Sequence, residues 1–216
     1  MRKLSVVICL VTAASIALGA QLGGRPVDEW IKTLDGPTRV SSLKIDDVVA
    51  AMKLKPGEIV ADIGAGTGLL SVPVAKAVGP KGRVYAVEID AGFFPAVLKR
   101  SADNGVSNVH TVLGEFTDPK LPGRVDFIFF HDVLHHIEKR GDYLRKLGSY
   151  LTPRGRVMVV DFEAGKGPHA REPELEVSRE WLAGVMGGYV LVSDEKLFDN
   201  KYVLTFGIKW MTGSGF

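Results

Sequence analysis

A short apolar run, Glu58–Ile63 (EIVADI), passes without a linker into Gly64-Ala65-Gly66-Thr67-Gly68 and then into a segment of helical composition, Leu69–Val78. Strand, glycine turn and helix in immediate succession form the opening unit of a layered α/β fold, because glycines let the chain reverse within a few residues. The pattern then repeats. Arg83–Ile89 (RVYAVEI) reads as a second strand and Phe93–Asp103 as a second helix, and Val109–Leu113 and Val125–Phe130 (VDFIFF) as strands three and four. A helix over Asp142–Leu151 stops at Thr152-Pro153-Arg154-Gly155, and Arg156–Phe162 (RVMVVDF) is strand five. Upstream, Leu43–Met52 has helical spacing and is stopped by Lys55-Pro56-Gly57. Downstream, a helix near Glu172–Met186 precedes strands near Tyr189–Ser193 and Tyr202–Ile208. Continuously apolar strands that alternate with helices predict a parallel sheet covered on both faces. The last two strands have no helix between them, so they are expected to form an antiparallel hairpin. The expected fold is a doubly wound, mostly parallel sheet.

Composition narrows the function classes. The chain has 216 residues, 27 Lys+Arg, 25 Asp+Glu and one Cys. That length suits one domain with a sizeable core. One cysteine closes no intramolecular disulfide and builds no thiolate metal site. The formal charge of +2 argues for neither nucleic acid nor an anionic membrane surface. Its origin is local. Arg2 and Lys3 precede an uncharged stretch, Leu4–Ala20, that ends in small residues. A basic start, an apolar stretch and a small-residue end are the parts of a secretory signal, with a cut after Gly19 or Ala20. The other reading is an uncleaved membrane anchor, since the apolar stretch approaches the length of a spanning helix. Without Arg2 and Lys3 the balance is 25 Lys+Arg against 25 Asp+Glu, and Cys9 also belongs to this leader. Residues 1–20 are therefore read as signal or anchor, 21–42 as an N-terminal segment, and 43–216 as the domain. Cleavage would place the protein in the periplasm or outside the cell; retention would leave it anchored to a membrane.

The ligand of the glycine loop can be argued from its flanks. In a doubly wound sheet, ligands bind outside the carboxyl ends of the strands, where this loop lies. The dinucleotide fingerprint G-x-G-x-x-G/A fails, because Leu69 occupies its last position, and no Gly-Lys-Ser/Thr follows for a triphosphate loop. Two carboxylates flank the loop instead: Asp62 before it and Glu88 at the end of strand two. An acid at the end of strand two suits ribose hydroxyls, and an acid before the loop repels pyrophosphate but attracts an amino group. S-adenosylmethionine has a ribose, an ammonium group and no phosphate.

VADIGAGTG (Val60–Gly68), VYAVEID (Val84–Asp90), LGEF (Leu113–Phe116), VDFIFFHDVLHHI (Val125–Ile137) and LTPRGRVMVVDF (Leu151–Phe162) together resemble the successive motifs of class I S-adenosylmethionine-dependent methyltransferases. The likeness is nearest to the ubiquinone/menaquinone C-methyltransferase-like branch, methyltransferase type 11, and covers roughly residues 43–210. It implies a Rossmann-like seven-stranded sheet with an antiparallel C-terminal hairpin. It also implies that Asp62, Gly64, Ala65, Gly66 and Gly68 hold the methionine half of the cofactor. Glu88 would take the ribose hydroxyls, Ile89 would lie against the adenine, and Glu115 would sit by the adenine amino group. His131 would lie near the methyl-transfer centre. The plain alternative for Glu115 is a solvated loop acid.

His131, Asp132, His135 and His136 cluster near Asp161 and Glu163, which invites a metal. Magnesium prefers carboxylates and water to imidazole, so no metal is expected. His131 as a general base is one reading of the cluster, and no catalytic residue is assigned. The implied reaction is in-line displacement of the sulfonium methyl by a small-molecule acceptor, with no nucleic-acid partner. Membrane contact would come only through an uncleaved leader. Acceptor recognition falls to the N-terminal segment and the loop before residue 172, which hold Trp30, Arg39 and His169. Two other classes stay open: a secreted S-adenosylmethionine-binding protein without catalysis, and an NAD(P)-dependent oxidoreductase.

Overall fold

The computed structural model describes residues 25–168 and 170–209. The expected leader over residues 1–20, and His169, lie outside these residues.

Seven strands form one sheet: β1 (Ile59–Ile63), β2 (Arg83–Glu88), β3 (Val109–Leu113), β4 (Val125–His131), β5 (Leu151–Phe162), β6 (Tyr189–Asp194) and β7 (Lys201–Ile208). Their order is β3-β2-β1-β4-β5-β7-β6. The first five are parallel, whereas β7 runs antiparallel to both β5 and β6. The strand order reverses between β1 and β4, so a crevice opens beyond their carboxyl ends.

Side chains alternate along each strand, which gives the sheet two buried faces. Phe127 and Phe129 of β4 point to one face with Val60, Val84 and Met158, beneath α3 (Ile45–Ala51), α4 (Ser71–Val78) and α5 (Phe94–Asp103). Ile128 and Phe130 point to the other, with Ala61, Val157 and Leu204, beneath α6 (Arg140–Lys146) and α7 (Arg179–Val185). All four β4 residues are fully buried, so the middle of the sheet carries the core of both layers.

The segment before residue 43 folds as two helices, α1 (Val27–Leu34) and α2 (Pro37–Ser42), where the sequence reading placed only turns. Val27, Trp30, Ile31 and Leu34 recur at helical spacing, and Pro37 stands at the first position of α2, where its missing N–H costs nothing. The helix expected over Asp142–Leu151 ends earlier. A tight turn over Leu147–Ser149 follows α6, and Leu151 already pairs with Val125. The ladder resumes only at Phe127 and Arg156, so Thr152–Gly155 bulges out of β5 instead of preceding it. The helix expected over Glu172–Met186 shrinks to α7. Ser178 caps α7 by accepting a hydrogen bond from the Trp181 N–H at 3.1 Å, and the chain before it is extended apart from one turn at Pro173–Leu175.

Candidate active site

The crevice beyond β1 and β4 is a cavity of about 600 Å³, within the range of small-molecule sites. The glycine loop forms its floor. Gly64 has φ 72°, and a Cβ there would collide with Cγ2 of Val133. Four of the loop's five amides are already used within the protein. Gly64 and Ala65 donate to the Val87 carbonyl at 2.9 and 3.1 Å, and Gly68 donates to the Ala65 carbonyl at 2.9 Å. Gly66 donates to Glu88 Oε1 at 2.6 Å. A phosphate cradle needs such amides free, so this loop is built for a ligand without phosphate.

Asp62 and Glu88 stand on either side. Asp62 is 3% exposed and accepts a hydrogen bond from the Ser71 hydroxyl at 2.6 Å. Burial pushes its carboxyl up to about 7, against the effect of Ser71. Glu88 also accepts from its neighbour's amide, Ile89 N–H, at 3.2 Å. Burial likewise raises it to about 7, against the two amide hydrogen bonds. Both acids therefore hold acceptor oxygens in a poorly solvated wall, where a bound hydroxyl or ammonium would be stabilised strongly.

The other expected contacts divide. Ala65, Gly66, Ile89, Glu115 and His131 line the cavity together with Asp62, Gly64 and Glu88. Gly68 does not. It lies behind the loop at φ 77°, and a Cβ there would meet Val97 of α5 at 3.4 Å, so it sets the packing of α5 against the loop. Glu115 keeps its side chain 61% exposed beside Lys120, at 3.2 Å. His131 ends β4 with its ring 2% exposed and edge-on to Phe198. His135 is held differently: its Nδ1 lies 2.7 Å from Asp161 Oδ1, and its backbone N–H donates to Asp161 Oδ2 at 3.2 Å. Glu163 is engaged by Arg179 Nε at 2.8 Å. Of the acids in the cluster that invited a metal, Asp161 thus serves His135, Glu163 serves Arg179 and Asp132 accepts from Lys201.

Trp30 and Arg39, expected to shape the acceptor side, do line the cavity, as do Thr33, Leu34 and Leu43 from the same region. A clamp fixes this wall to the loop. Asp35 accepts from the Thr67 hydroxyl at 2.5 Å and from Arg100 Nη2 at 2.8 Å, and Arg100 Nε donates to the Thr67 carbonyl at 2.8 Å. The sequence reading missed Asp35, Thr67 and Arg100. Nothing in their local sequence marks three residues so far apart as partners.

Known proteins agree with this architecture. The family model described as "Methyltransferase domain" matches residues 54–193. The ubiquinone/menaquinone biosynthesis C-methyltransferase UbiE of Vibrio campbellii is 31% identical over 110 residues, which span 50% of this chain and 42% of that protein. Its counterpart in Ectopseudomonas mendocina is 31% identical over 117 residues, spanning 53% and 46%. The matches thus span less than half the length of these relatives. A SAM-dependent methyltransferase of Aquifex aeolicus superposes with a TM-score of 0.73 at 24% identity, covering 85% of this chain and 99% of that one. Magnesium protoporphyrin IX methyltransferase of Synechocystis, solved with bound SAM, gives 0.69 at 21% identity, covering 92% and 100%. At such identities the superpositions speak for the fold. With the family model covering most of the described residues, the chain belongs to the methyltransferase-domain family.

Proposed function

We propose that the protein is an S-adenosylmethionine-dependent methyltransferase acting on a small-molecule acceptor. The observation that carries this is the pairing of buried Asp62 with partly buried Glu88, neither ion-paired to a cation among the described residues, around a glycine loop in which four of five amides are spent internally. Such a site favours hydroxyl and ammonium donors over phosphate. That combination also speaks against the NAD(P) reading. The relatives' names, C-methyltransferase and porphyrin methyltransferase, support a small-molecule acceptor.

The residues fit the cofactor. Glu88 lines the cavity next to Ile89 and would take the ribose hydroxyls, Asp62 lines it beside the loop and would take the amino group, and Gly64 and Gly66 line it without side chains of their own. When bound, S-adenosylmethionine would supply an activated sulfonium methyl for transfer to the acceptor. The protein's own contribution is orientation and exclusion of water. Trp30, Leu34 and Leu43 close one side of the cavity, and Val133, Ile137 and Tyr143 line it from β4 and beyond. Residues 1–20 complete the proposal as an export signal or anchor, on the strength of Arg2, Lys3 and the uncharged stretch after them.

Calorimetry of S-adenosylhomocysteine binding tests the cofactor site. Replacing Glu88 by Ala is expected to weaken binding about tenfold or more, since it removes the carboxyl acceptor that would meet the ribose hydroxyls. An unchanged dissociation constant, or tight NAD(P) binding with none of S-adenosylhomocysteine, would reject the reading. Incubation with methyl-labelled S-adenosylmethionine and a metabolite extract would then identify the acceptor by its label.

A further inference from the structure

The cavity has a second polar pole, away from Asp62 and Glu88, at Asp132. Three basic side chains converge on one oxygen of this residue. Lys201 Nζ donates to Asp132 Oδ2 at 2.7 Å, while His131 Nδ1 stands 3.5 Å and Arg39 Nη1 3.6 Å from the same atom. Lys201 is 6% exposed and lies over the rings of Phe162 and Phe198, 4.7 and 5.2 Å from their centroids. It is committed to Asp132, and their charges cancel.

Arg39 is left over. Its separation from Asp132 is an ion-pair contact too long for a hydrogen bond, and its Nε is buried with no hydrogen-bond partner among the described residues. His131 lines the cavity with its ring almost wholly buried; its Nδ1 reaches only Asp132, at 3.5 Å, and its Nε2 has no hydrogen-bond partner among the described residues. A buried guanidinium nitrogen and a buried imidazole nitrogen without acceptors carry a desolvation cost that a bound anion would remove. The lining around them is apolar and partly aromatic: Trp30, Leu43, Ile137 and Phe162. Asp132 is the acid the subsite faces, its Oδ2 taken by Lys201 and its Oδ1 buried without a hydrogen-bond partner among the described residues; Glu138, which also lines the cavity, is exposed.

We propose that Arg39 and His131 form an anion subsite that receives the carboxylate of a small organic acid with a flat, apolar body. The inference rests on the methyl-transfer reading only in naming that acid the acceptor; the subsite itself stands on Arg39, His131 and Asp132. It fixes one end of the acceptor and leaves its apolar body in the cavity.

Sodium benzoate and its neutral isostere benzamide are the probes. Each is titrated calorimetrically into the full chain and into the Arg39→Gln and Arg39→Lys variants, with and without saturating S-adenosylhomocysteine. Benzoate is expected to bind wild type about tenfold or more tightly than benzamide. Arg39→Gln should abolish that preference, and Arg39→Lys should keep part of it, with far-ultraviolet circular dichroism verifying each variant's fold. Equal affinities on wild type, no detectable benzoate binding, or a preference that survives Arg39→Gln would overturn the proposal. S-adenosylhomocysteine titrated alone reports on the cofactor separately. Benzoate selectivity without its binding would leave the anion subsite standing and remove the cofactor reading; the reverse would remove only the subsite.

Discussion

At the scale of single residues, the site is set by where carboxylates are buried and what meets them. Folded Asp62 holds its proton to about pH 7 and Glu88 does the same, whereas their ordinary values are 3.8 and 4.5. Between these limits the folded chain binds more protons than the unfolded one, so the ligand-free protein loses stability as pH rises from about 4 to about 7. Asp118 and Asp132 act elsewhere. Burial would raise both, yet Lys146 and Tyr150 hold Asp118 at about 2, and His131 and Lys201 hold Asp132 well below the carboxylate range. Their protonation changes therefore fall below that window. Urea midpoints at pH 5, 6 and 7.5 should decline for wild type and decline less steeply for Asp62→Asn; parallel slopes would refute the role given to Asp62. Asp62 and Glu88 were legible in the sequence because each ends an apolar strand, a position that dictates its place in any doubly wound sheet. The Arg39–Asp132–Lys201 cluster was not, because it joins three elements and depends on which way β7 runs.

At the scale of elements, α1 and α2 convert an open crevice into a cavity. They are short, and neither has a side-chain cap, so they owe their order to tertiary contacts and not to helix propensity. The Asp35–Thr67–Arg100 clamp is the chief polar contact. Arg100 and Asp35 are 28% and 34% exposed, which limits what the charge pair contributes through solvent screening. Asp35→Ala is expected to cost about 1–2 kcal/mol from the lost hydrogen bonds. Amide exchange over Val27–Leu34 should accelerate while β1 and β4 keep their protection. Unchanged exchange in α1 would mean that Trp30 and Leu34 hold it without the clamp. The apolar stripe of α1 was readable in principle, but turn signals on both sides of it, Gly23-Gly24 and Asp35-Gly36-Pro37, drew the reading toward loop. Ser178 similarly marked the true start of α7, which a search for helical composition alone passed over.

At the scale of the whole molecule, the two hydrophobic layers meet at β4, whose residues 127–130 are buried on both faces. Phe129→Ala should destabilise the protein by about 3–5 kcal/mol, measured by urea denaturation, because the cavity it leaves cannot collapse between packed neighbours. A loss below about 1 kcal/mol would show that the core under α4 repacks freely. The sheet's architecture was almost wholly legible, since strand–helix alternation and handedness leave few topologies open. The strand order at one edge, β5-β7-β6, has a consequence for biosynthesis. β6 is made before β7 but has only β7 beside it, and β5 keeps an open edge until β7 arrives. A nascent chain halted before Lys201 therefore exposes unpaired strands, the kind of edge that promotes aggregation. The strand that seals that edge also carries Lys201 to Asp132, so completing the sheet and neutralising that carboxylate are one event.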